Sequence, residues 1–167
     1  MKIDPLNKSK KKNFLEELAF LGKLRTSALF IKTGKERVRA YTGSLSIEEI
    51  WDFWRIFPVE GIGLYLGKEM INKSGVREVR LSTDGLHLFK DQIQSNILVL
   101  NPELEEKWFL GEDLELSEGM ATDIVKGFVA VKSESSGDLI GVGKLNFDKN
   151  ALQNFLPKER RRKERLA

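Results

Sequence analysis

Residues 127–146 read GFVAVKSESSGDLIGVGKLN, and this stretch says most about the fold. Two apolar runs flank a polar turn at residues 135–138, Ser-Ser-Gly-Asp. Alternating or continuous apolar runs around such a turn are typical of a β-hairpin. The stretch therefore predicts strands over 127–132 and 139–145.

The residues upstream of this hairpin predict a strand, a helix and a second strand. Residues 97–100 (ILVL) form a short apolar run typical of a buried strand. Asn101 and Pro102 predict an N-cap followed by proline at the first helical position, and Gly111 ends that short helix. Residues 114–116 predict a brief strand.

The C-terminal end of this half is predicted to be helical. Asp148 is expected to cap a last short helix, with Phe147 and Leu152 placed as a hydrophobic staple and Pro157 ending it. The second half of the chain therefore combines short strands with short helices, as in a small barrel.

The first half of the chain predicts helices mixed with strands. A helix is expected to begin near Asn13 and to end at Gly22, and a hairpin is expected over 27–41. Ser46 and Glu49 form a capping box that opens a second helix, which Pro58 stops. The aromatic residues of this second helix are spaced as in a helix packed on nearly all sides, so we expect them in the core: Trp51, Phe53, Trp54 and Phe57.

Two further strands and a short helix are expected before the second half. Residues 62–67 and 77–81 predict strands, and Ser82 or Thr83 caps the helix. The whole chain is therefore predicted to be α+β. We expect a mixed domain over 1–91, a small β-barrel over 92–157 and a basic tail over 158–167.

Composition and the absence of cysteine narrow the class of protein. The chain has 167 residues, 41% hydrophobic and 32% charged, which is ordinary for a globular protein. Without cysteine it has no disulfide, thiolate nucleophile or zinc knuckle. No apolar run approaches the length of a membrane span, and the N-terminus is lysine-rich without an apolar signal core. We therefore expect a cytoplasmic protein with no membrane partner.

Charge is distributed unevenly along the chain. Residues 1–12 hold five Lys and one Asp, and residues 158–165 hold six basic and two acidic residues, so each end carries +4. Since the whole chain carries +3, the residues between them carry 3 − 8 = −5. Basic ends on an acidic body are typical of proteins that bind phosphate backbones, although solvated ends that favour solubility give the same pattern.

No pattern in the sequence indicates catalysis. His87 is the only histidine, and no serine–histidine–acid arrangement accompanies it. Gly61, Gly63 and Gly67 miss the dinucleotide-binding fingerprint by one residue, and no phosphate-loop motif occurs. We therefore expect a protein that is not an enzyme and has no metal or cofactor. An enzyme centred on His87 and nearby acids is the least favoured alternative.

Three stretches resemble a known family of RNA-binding proteins. The hairpin at 127–146 resembles the closing hairpin of a PUA domain, named after pseudouridine synthases and archaeosine transglycosylases. Residues 97–116, ILVLNPELEEKWFLGEDLEL, are similar to the opening strand, short helix and second strand of that domain. Residues 63–89, GLYLGKEMINKSGVREVRLSTDGLHLF, resemble the pre-PUA partner domain of ribosome-biogenesis proteins. The chain is also similar to the RNA-binding tail of some rRNA cytosine-C5 methyltransferases, and LPKERRRKE at 156–164 adds to that likeness.

The resemblance implies where RNA would bind on the barrel. In such families the loop after the first helix grips structured RNA, and here that loop runs from Gly111 to Gly127. It is acidic over 112–123 and contains one lysine, Lys126. The departure from the family pattern shifts the expected RNA contacts towards the tail and the first domain.

The tail is the first set of expected RNA contacts. Arginine binds phosphate through paired hydrogen bonds and keeps its charge at any working pH. The alternative is that the tail extends the last helix and exposes a Glu159–Lys163 pair. The expected contacts are Lys158, Arg160, Arg161, Arg162, Lys163 and Arg165.

Further RNA contacts are expected on a strand of the first domain and in three smaller groups of basic residues. Arg37, Arg39 and Tyr41 are expected on one strand face, where the tyrosine stacks on an unpaired base. The alternative is a half-exposed strand with polar residues outward. The remaining expected contacts lie around a loop of the first domain, in the acidic loop and beside the closing hairpin: Lys68, Lys73, Arg77, Arg80, Lys126, Lys132 and Lys144.

These observations predict an RNA-binding accessory protein for rRNA or tRNA modification or ribosome biogenesis. It would recognise folded RNA by backbone charge and shape, with no chemistry of its own. A separately encoded RNA methyltransferase or a ribosomal protein is an expected partner. The alternative is a protein–protein adaptor of the same fold that binds a basic partner with its acidic face at 112–123.

Overall fold

The computed structural model describes residues 2–58 and 61–164. They form two five-stranded sheets with few helices, and one of the two sheets is curled into a half-barrel. The coarse α+β prediction is confirmed. The chain divides into two compact units, Met1–Ala19 with Arg25–Gly85, and Phe20–Leu24 with Leu86–Ala167. The predicted domain bounds of 1–91, 92–157 and 158–167 stay a prediction.

The first unit is an antiparallel sheet in which the strands follow one another in chain order, β1-β2-β3-β4-β5. Helix α1 lies between the first two strands, helix α2 between the third and fourth, and helix α3 begins after the fifth. The bounds in chain order are β1 Ile3–Pro5, α1 Lys8–Glu16, β2 Leu29–Thr33, β3 Arg37–Tyr41, α2 Ile47–Ile56, β4 Leu64–Ile71, β5 Arg77–Leu81 and α3 Thr83–Leu88.

Helices α1 and α2 pack on opposite faces of the first sheet. Phe14 of α1 meets Phe30 of β2 edge to face, with ring centroids 5.5 Å apart. Ile31, the next residue of β2, points to the other face, where it packs with Ile3 and with Ile50 of α2. Helix α2 therefore covers strands β1 and β2 on the face that also carries the odd-numbered residues of β3.

The second unit is a sheet of order β6-β8-β9-β10-β7, in which only β6 and β8 run parallel. Its core gathers around Trp108 of helix α4, which is fully buried. The bounds are β6 Ile97–Leu100, α4 Pro102–Phe109, β7 Leu114–Glu115, β8 Phe128–Ser133, β9 Leu139–Asn146, β10 Ala151–Asn154 and a 3-10 turn at Lys158–Arg160.

Two buried asparagines fix the loops of the second unit. Asn96 is in the left-handed region at φ 54°, and its amide donates to the carbonyls of Lys126 and Phe128. Asn154 donates to the carbonyls of Trp108 and Glu112. Because such buried amides leave no polar atom unpaired, they hold irregular backbone in one conformation.

Most predicted elements are confirmed. Both hairpins, the strand over 77–81, the strand over 97–100, the Ser46 capping box and the Asn101 N-cap lie where the patterns predicted. The strand expected over 62–67 is present but runs from Leu64 to Ile71.

Three predictions about local structure were wrong. Helix α1 begins at Lys8, because Asn7 caps it by accepting a hydrogen bond from the Lys10 amide at 2.9 Å. The segment after Asp148 is the strand β10, which pairs with both β9 and β7, and not a helix. The α2 aromatics are not all core, since Phe53 is 45% exposed and Phe57 62% exposed.

Candidate nucleic-acid interface

Three cations lie side by side across the last three strands of the first sheet. Arg37 of β3 is paired with Lys68 of β4, and Lys68 is paired with Arg80 of β5. Directly paired residues of antiparallel strands project from the same face, with neighbouring strands about 4.8 Å apart. The three side chains therefore form a row across the strands, and Arg37 is exposed while the other two are half-buried.

A β-bulge brings Tyr65 to the same face as this row. Val38 pairs with Gly67 and Arg39 pairs with Tyr65, so Leu66 is an extra residue on β4. In a regular strand, Tyr65 and Lys68 would point to opposite faces because they are three residues apart. The bulge reverses this, and Tyr65 joins Arg39 on the face that carries Arg37 and Arg80.

Three arginines of this face act electrostatically on the Tyr65 phenol. Burial raises the pKa of Tyr65 above its usual value, while the charges of Arg80, Arg37 and Arg39 and a hydrogen bond from Arg80 act to lower it. The net rise shows that burial outweighs the three charges. The phenol thus stays protonated well above neutral pH, in a strongly positive environment. We call Tyr65 with Arg37, Arg39, Lys68 and Arg80 the basic face.

Arg39 is held by contacts with the segment that precedes β4. Its Nη1 donates to the Gly63 carbonyl at 3.0 Å, and its side chain passes directly over Gly61. A Cβ at position 61 would lie 2.2 Å from the Arg39 Nε, so a larger residue there would displace the arginine side chain. The Arg39 Nε is itself buried and has no hydrogen-bond acceptor. The hydrogen bond to Gly63 thus holds the guanidinium in place.

Two carboxylates moderate the charge of the basic face. Glu36 pairs with Lys68 at 3.8 Å. Glu78 pairs with Met70 across β4 and β5, which places it on the same face, where it accepts from the Asn72 amide at 3.0 Å. Four cations against two carboxylates leave the basic face net positive.

Among the other predicted contacts of the first unit, Arg77 and Lys73 lie away from the basic face, whereas Tyr41 shares the strand face of Arg37 and Arg39. Arg77 points to the opposite face, where it pairs with Glu69 at 2.9 Å. Lys73 is exposed in the turn between β4 and β5. The Tyr41 hydroxyl accepts from the Leu45 amide at 3.1 Å, and its ring packs against the cluster of Ile3, Ile31 and Ile50, so it holds the loop that leads into α2.

The basic tail folds back on the C-terminal end of α4. The Arg161 Nε donates to the Leu156 carbonyl at 2.9 Å, and the Arg161 side chain lies over Gly111, which has φ 84°. The Arg162 amide donates to the Phe109 carbonyl at 2.7 Å, and its guanidinium stacks 4.7 Å from the Phe109 ring centroid. Cations at a helix C-terminus complement the helix dipole.

The tail therefore contains two kinds of cation. Arg161 and Arg162 contact the body of the second unit, while Lys158 and Lys163 are exposed. Arg160 is also exposed and makes a contact of its own. Arg165 lies outside the described residues. The alternative of a continued α-helix is wrong for the described part of the tail, because only a 3-10 turn forms at Lys158–Arg160.

The remaining predicted contacts of the second unit are scattered. Lys126 is exposed, and the Asn96 side chain holds its backbone. Lys132 is half-buried on β8, and the Lys144 ammonium lies 4.9 Å from the centroid of the Phe128 ring. In the acidic segment 112–123, Asp113 accepts from the Asn154 amide at 2.8 Å, so this carboxylate holds β10.

His87 and the acidic residues were considered as possible catalytic or metal-binding groups. The His87 Nε2 lies 2.8 Å from the Leu139 carbonyl oxygen. Within residues 2–58 and 61–164, no group of three or more histidine, aspartate or glutamate side chains is arranged to hold a metal ion. Among the helices of these residues, none is both long and apolar enough to cross a membrane.

Comparison with known proteins adds no relative. No protein-family model matches the chain, and no curated protein has significant sequence similarity to it.

Tyr65 is the residue of the basic face that was not among the predicted contacts. Strand alternation separates it from Lys68, and only the bulge at Leu66 unites them. The signal in the sequence is Gly67, because a glycine inside a strand often marks a bulge or a close approach of backbone.

Proposed function

We propose that this protein binds RNA through the basic face of its first unit, without chemistry of its own. The observation that supports this most strongly is that four cations from three strands share one sheet face with a half-buried tyrosine, and that three of them act on its phenol. The cations come from three separate strands. The two carboxylates of this face, Glu36 and Glu78, are too few to neutralise them.

The spacing of the row fits a phosphate backbone. Arg37, Lys68 and Arg80 lie on three neighbouring strands, so the row extends about 10 Å, which is twice the interstrand spacing. Arginine forks bind phosphate oxygens by paired hydrogen bonds, and lysine binds them as a point charge. Two successive phosphates of one strand would fit along this row.

The accessory role in rRNA or tRNA modification or ribosome biogenesis is part of the same proposal. It rests on the resemblance of residues 63–89, 97–116 and 127–146 to pre-PUA and PUA domains. Proteins with these domains recognise folded RNA by shape and backbone contacts, which agrees with a basic face that presents charges and one aromatic ring. A separately encoded RNA methyltransferase or a ribosomal protein is the kind of partner this role implies.

The test is RNA binding across a salt series. Filter retention with total tRNA and rRNA fragments would compare the natural protein with the triple variant Arg37→Gln, Lys68→Gln, Arg80→Gln. Each lost phosphate contact lowers the slope of log affinity against log salt by about 0.7 to 0.9. We expect the triple variant to lose about two units of slope.

A charge-matched control separates the basic face from net charge. The variant Lys8→Gln, Lys10→Gln, Lys12→Gln removes three exposed cations from α1 and leaves the same net charge as the test variant. We expect its slope to stay close to that of the natural protein. Equal losses in both variants would mean that binding follows net charge alone. Affinity no better than about micromolar for the natural protein at physiological salt would overturn the proposal and favour the adaptor alternative.

A further inference from the structure

Helix α2 carries an apolar patch that the first unit does not bury. Ile50 is its only buried residue, and Trp51 and Trp54 are half-buried. Phe53, Ile56 and Phe57 are 45%, 70% and 62% exposed, and the rings of Phe53 and Phe57 lie 5.8 Å apart. Residues spaced by three and four positions share one side of a helix. These three residues form one continuous surface, which we call the α2 patch.

Leaving this patch in water is costly. Large aromatic side chains contribute strongly to stability when they are buried, and single-chain proteins rarely expose several of them together. The first unit has apolar residues enough to form its core around Ile3, Ile31 and Ile50 without them. The α2 patch is therefore not explained by the folding of this unit.

The acidic residues next to the α2 patch indicate the charge of the partner that would cover it. Glu49 and Asp52 lie one helical turn before Phe53 and Ile56, and Glu48 adjoins them. Glu49 accepts a hydrogen bond from the Ser46 amide, which lowers its pKa and keeps it ionised. Arg55 is the one cation of α2, and it pairs with Asp52 at 3.3 Å. The surroundings of the patch are thus net negative.

We propose that the α2 patch is a docking surface for a protein whose contact region is apolar and flanked by lysine or arginine. An RNA strand would meet the carboxylates of Glu48 and Glu49, and an anionic membrane surface would be repelled in the same way. Apolar anchors in the centre and complementary charges at the rim are the usual composition of a protein interface. The patch is separate from the basic face in composition, so it adds a protein partner to the proposed RNA binding.

The experiment uses peptides of defined chemistry. A fluorescein-labelled amphipathic helix built from leucine and lysine, and its leucine–glutamate counterpart, would be titrated with the full chain and followed by anisotropy. We expect the cationic peptide to bind at least tenfold more tightly than the anionic one. Phe53→Ser with Phe57→Ser should weaken cationic binding at least tenfold, and Glu48→Lys with Asp52→Lys should weaken it severalfold.

Matched controls decide whether the patch itself is responsible. Ile71→Ser removes another exposed apolar residue of the same unit, 75% exposed, and Glu118→Lys reverses a charge in the acidic segment. Neither should change peptide binding. The proposal is overturned if Glu118→Lys abolishes binding while the α2 variants do not.

Two further results would assign the patch to a different occupant. Loss of RNA affinity in the Phe53→Ser, Phe57→Ser protein, with its fold intact by circular dichroism, would make the patch part of the RNA site. A dimer in sedimentation that these substitutions convert to a monomer would make a second copy of this chain the occupant. Either result overturns a heterologous protein partner.

Discussion

Two basic regions of the chain, the basic face of the first unit and the C-terminal tail, are used differently in the structure. The tail has its cations next to one another in sequence, yet Arg161 and Arg162 are occupied by contacts with the end of α4. The basic face collects its cations from β3, β4 and β5, and they point to one side of the sheet. The adjacent cations of the tail thus partly stabilise the fold. The cations of the basic face are far apart in sequence, but the sheet brings them close together.

The reason for this difference is the register of the strands. The sequence of an arginine run does not determine which surface its side chains contact. In this chain the end of α4 determines it, because the tail is hydrogen-bonded there. Paired strands place residues within about 5 Å of each other regardless of their separation along the chain. Arg37 and Arg80 therefore lie on one face, on either side of Lys68, although they are 43 positions apart, 80 − 37.

Charge reversal in the two regions should produce the largest difference. Arg37→Glu with Arg80→Glu should lower RNA affinity at physiological salt by about a hundredfold or more, because two contacts are lost and repulsion replaces them. Lys158→Glu with Lys163→Glu makes the same change in net charge on exposed tail residues. We expect that pair to lower affinity by about tenfold at most. Anisotropy with one labelled tRNA measures both, and a larger loss for the tail pair would reverse the comparison.

For the free energy of unfolding, substitutions in the tail should have a larger effect than substitutions in the basic face. Arg161→Ala with Arg162→Ala removes a hydrogen bond to Leu156, a stacking contact with Phe109 and two cations at a helix C-terminus. We expect a loss of about 2 kcal/mol in the free energy of unfolding. The Arg37→Gln, Lys68→Gln pair should change it by less than about 0.5 kcal/mol, as surface substitutions usually do.

Urea denaturation followed by tryptophan fluorescence measures both effects. Trp108 lies in the core of the second unit and Trp51 and Trp54 lie in the first, so the signal covers both units. Equal stability of the natural and Arg161→Ala, Arg162→Ala proteins would show that the tail is a free arm after all.

A pH titration should give the smallest effect, but it reports directly on the environment of the basic face. The chain has two tyrosines, so the Tyr41→Phe protein leaves Tyr65 as the sole phenol. We expect its absorbance at about 295 nm to rise only above the ordinary tyrosine pKa of 10.0, because burial raises the pKa of Tyr65. Adding Arg80→Gln should move the titration to still higher pH, since Arg80 acts to lower that pKa.

The sign of the linked stability effect follows from the same shift. Above pH 10.0 the unfolded chain loses the Tyr65 proton before the folded chain does, so the free energy of unfolding falls as pH rises towards the folded pKa. Tyr65→Phe should remove this contribution. A Tyr65 titration at or below 10.0 would contradict the burial of the ring beside the arginines.

Much of the fold could be predicted from local patterns. Capping residues and turns act within four positions, so Ser46, Asn101 and the two hairpin turns were placed correctly. Helix α1 was misplaced because its first turns are lysines, which give no apolar period, and Asn7 rather than Asn13 caps it. Strand β10 has four residues, which is too short for alternation to distinguish it from a helix.

The basic face could be predicted only in part. Arg37, Arg39, Lys68 and Arg80 were recognised as basic. Alternation places Arg77 and Arg80 on opposite faces of their strand, but only the register with β4 decides that Arg80 lies beside Lys68 while Arg77 pairs with Glu69. Tyr65 was missed because one bulge residue, Leu66, changes the face to which it belongs. Such a bulge depends on pairing with β3, so it is a property of the sheet and not of the strand sequence.

Ultraviolet cross-linking of the full chain to RNA, with the attached peptides identified by mass spectrometry, tests most directly whether the basic face holds RNA. Tyr65 has an aromatic ring beside three arginines, so we expect cross-links in the peptides that span Leu64–Ile71 and Arg77–Leu81, and fewer in the Tyr65→Phe, Arg80→Gln protein. Cross-links confined to residues 158–164, and unchanged in that variant, would contradict the proposal and return the RNA site to the tail.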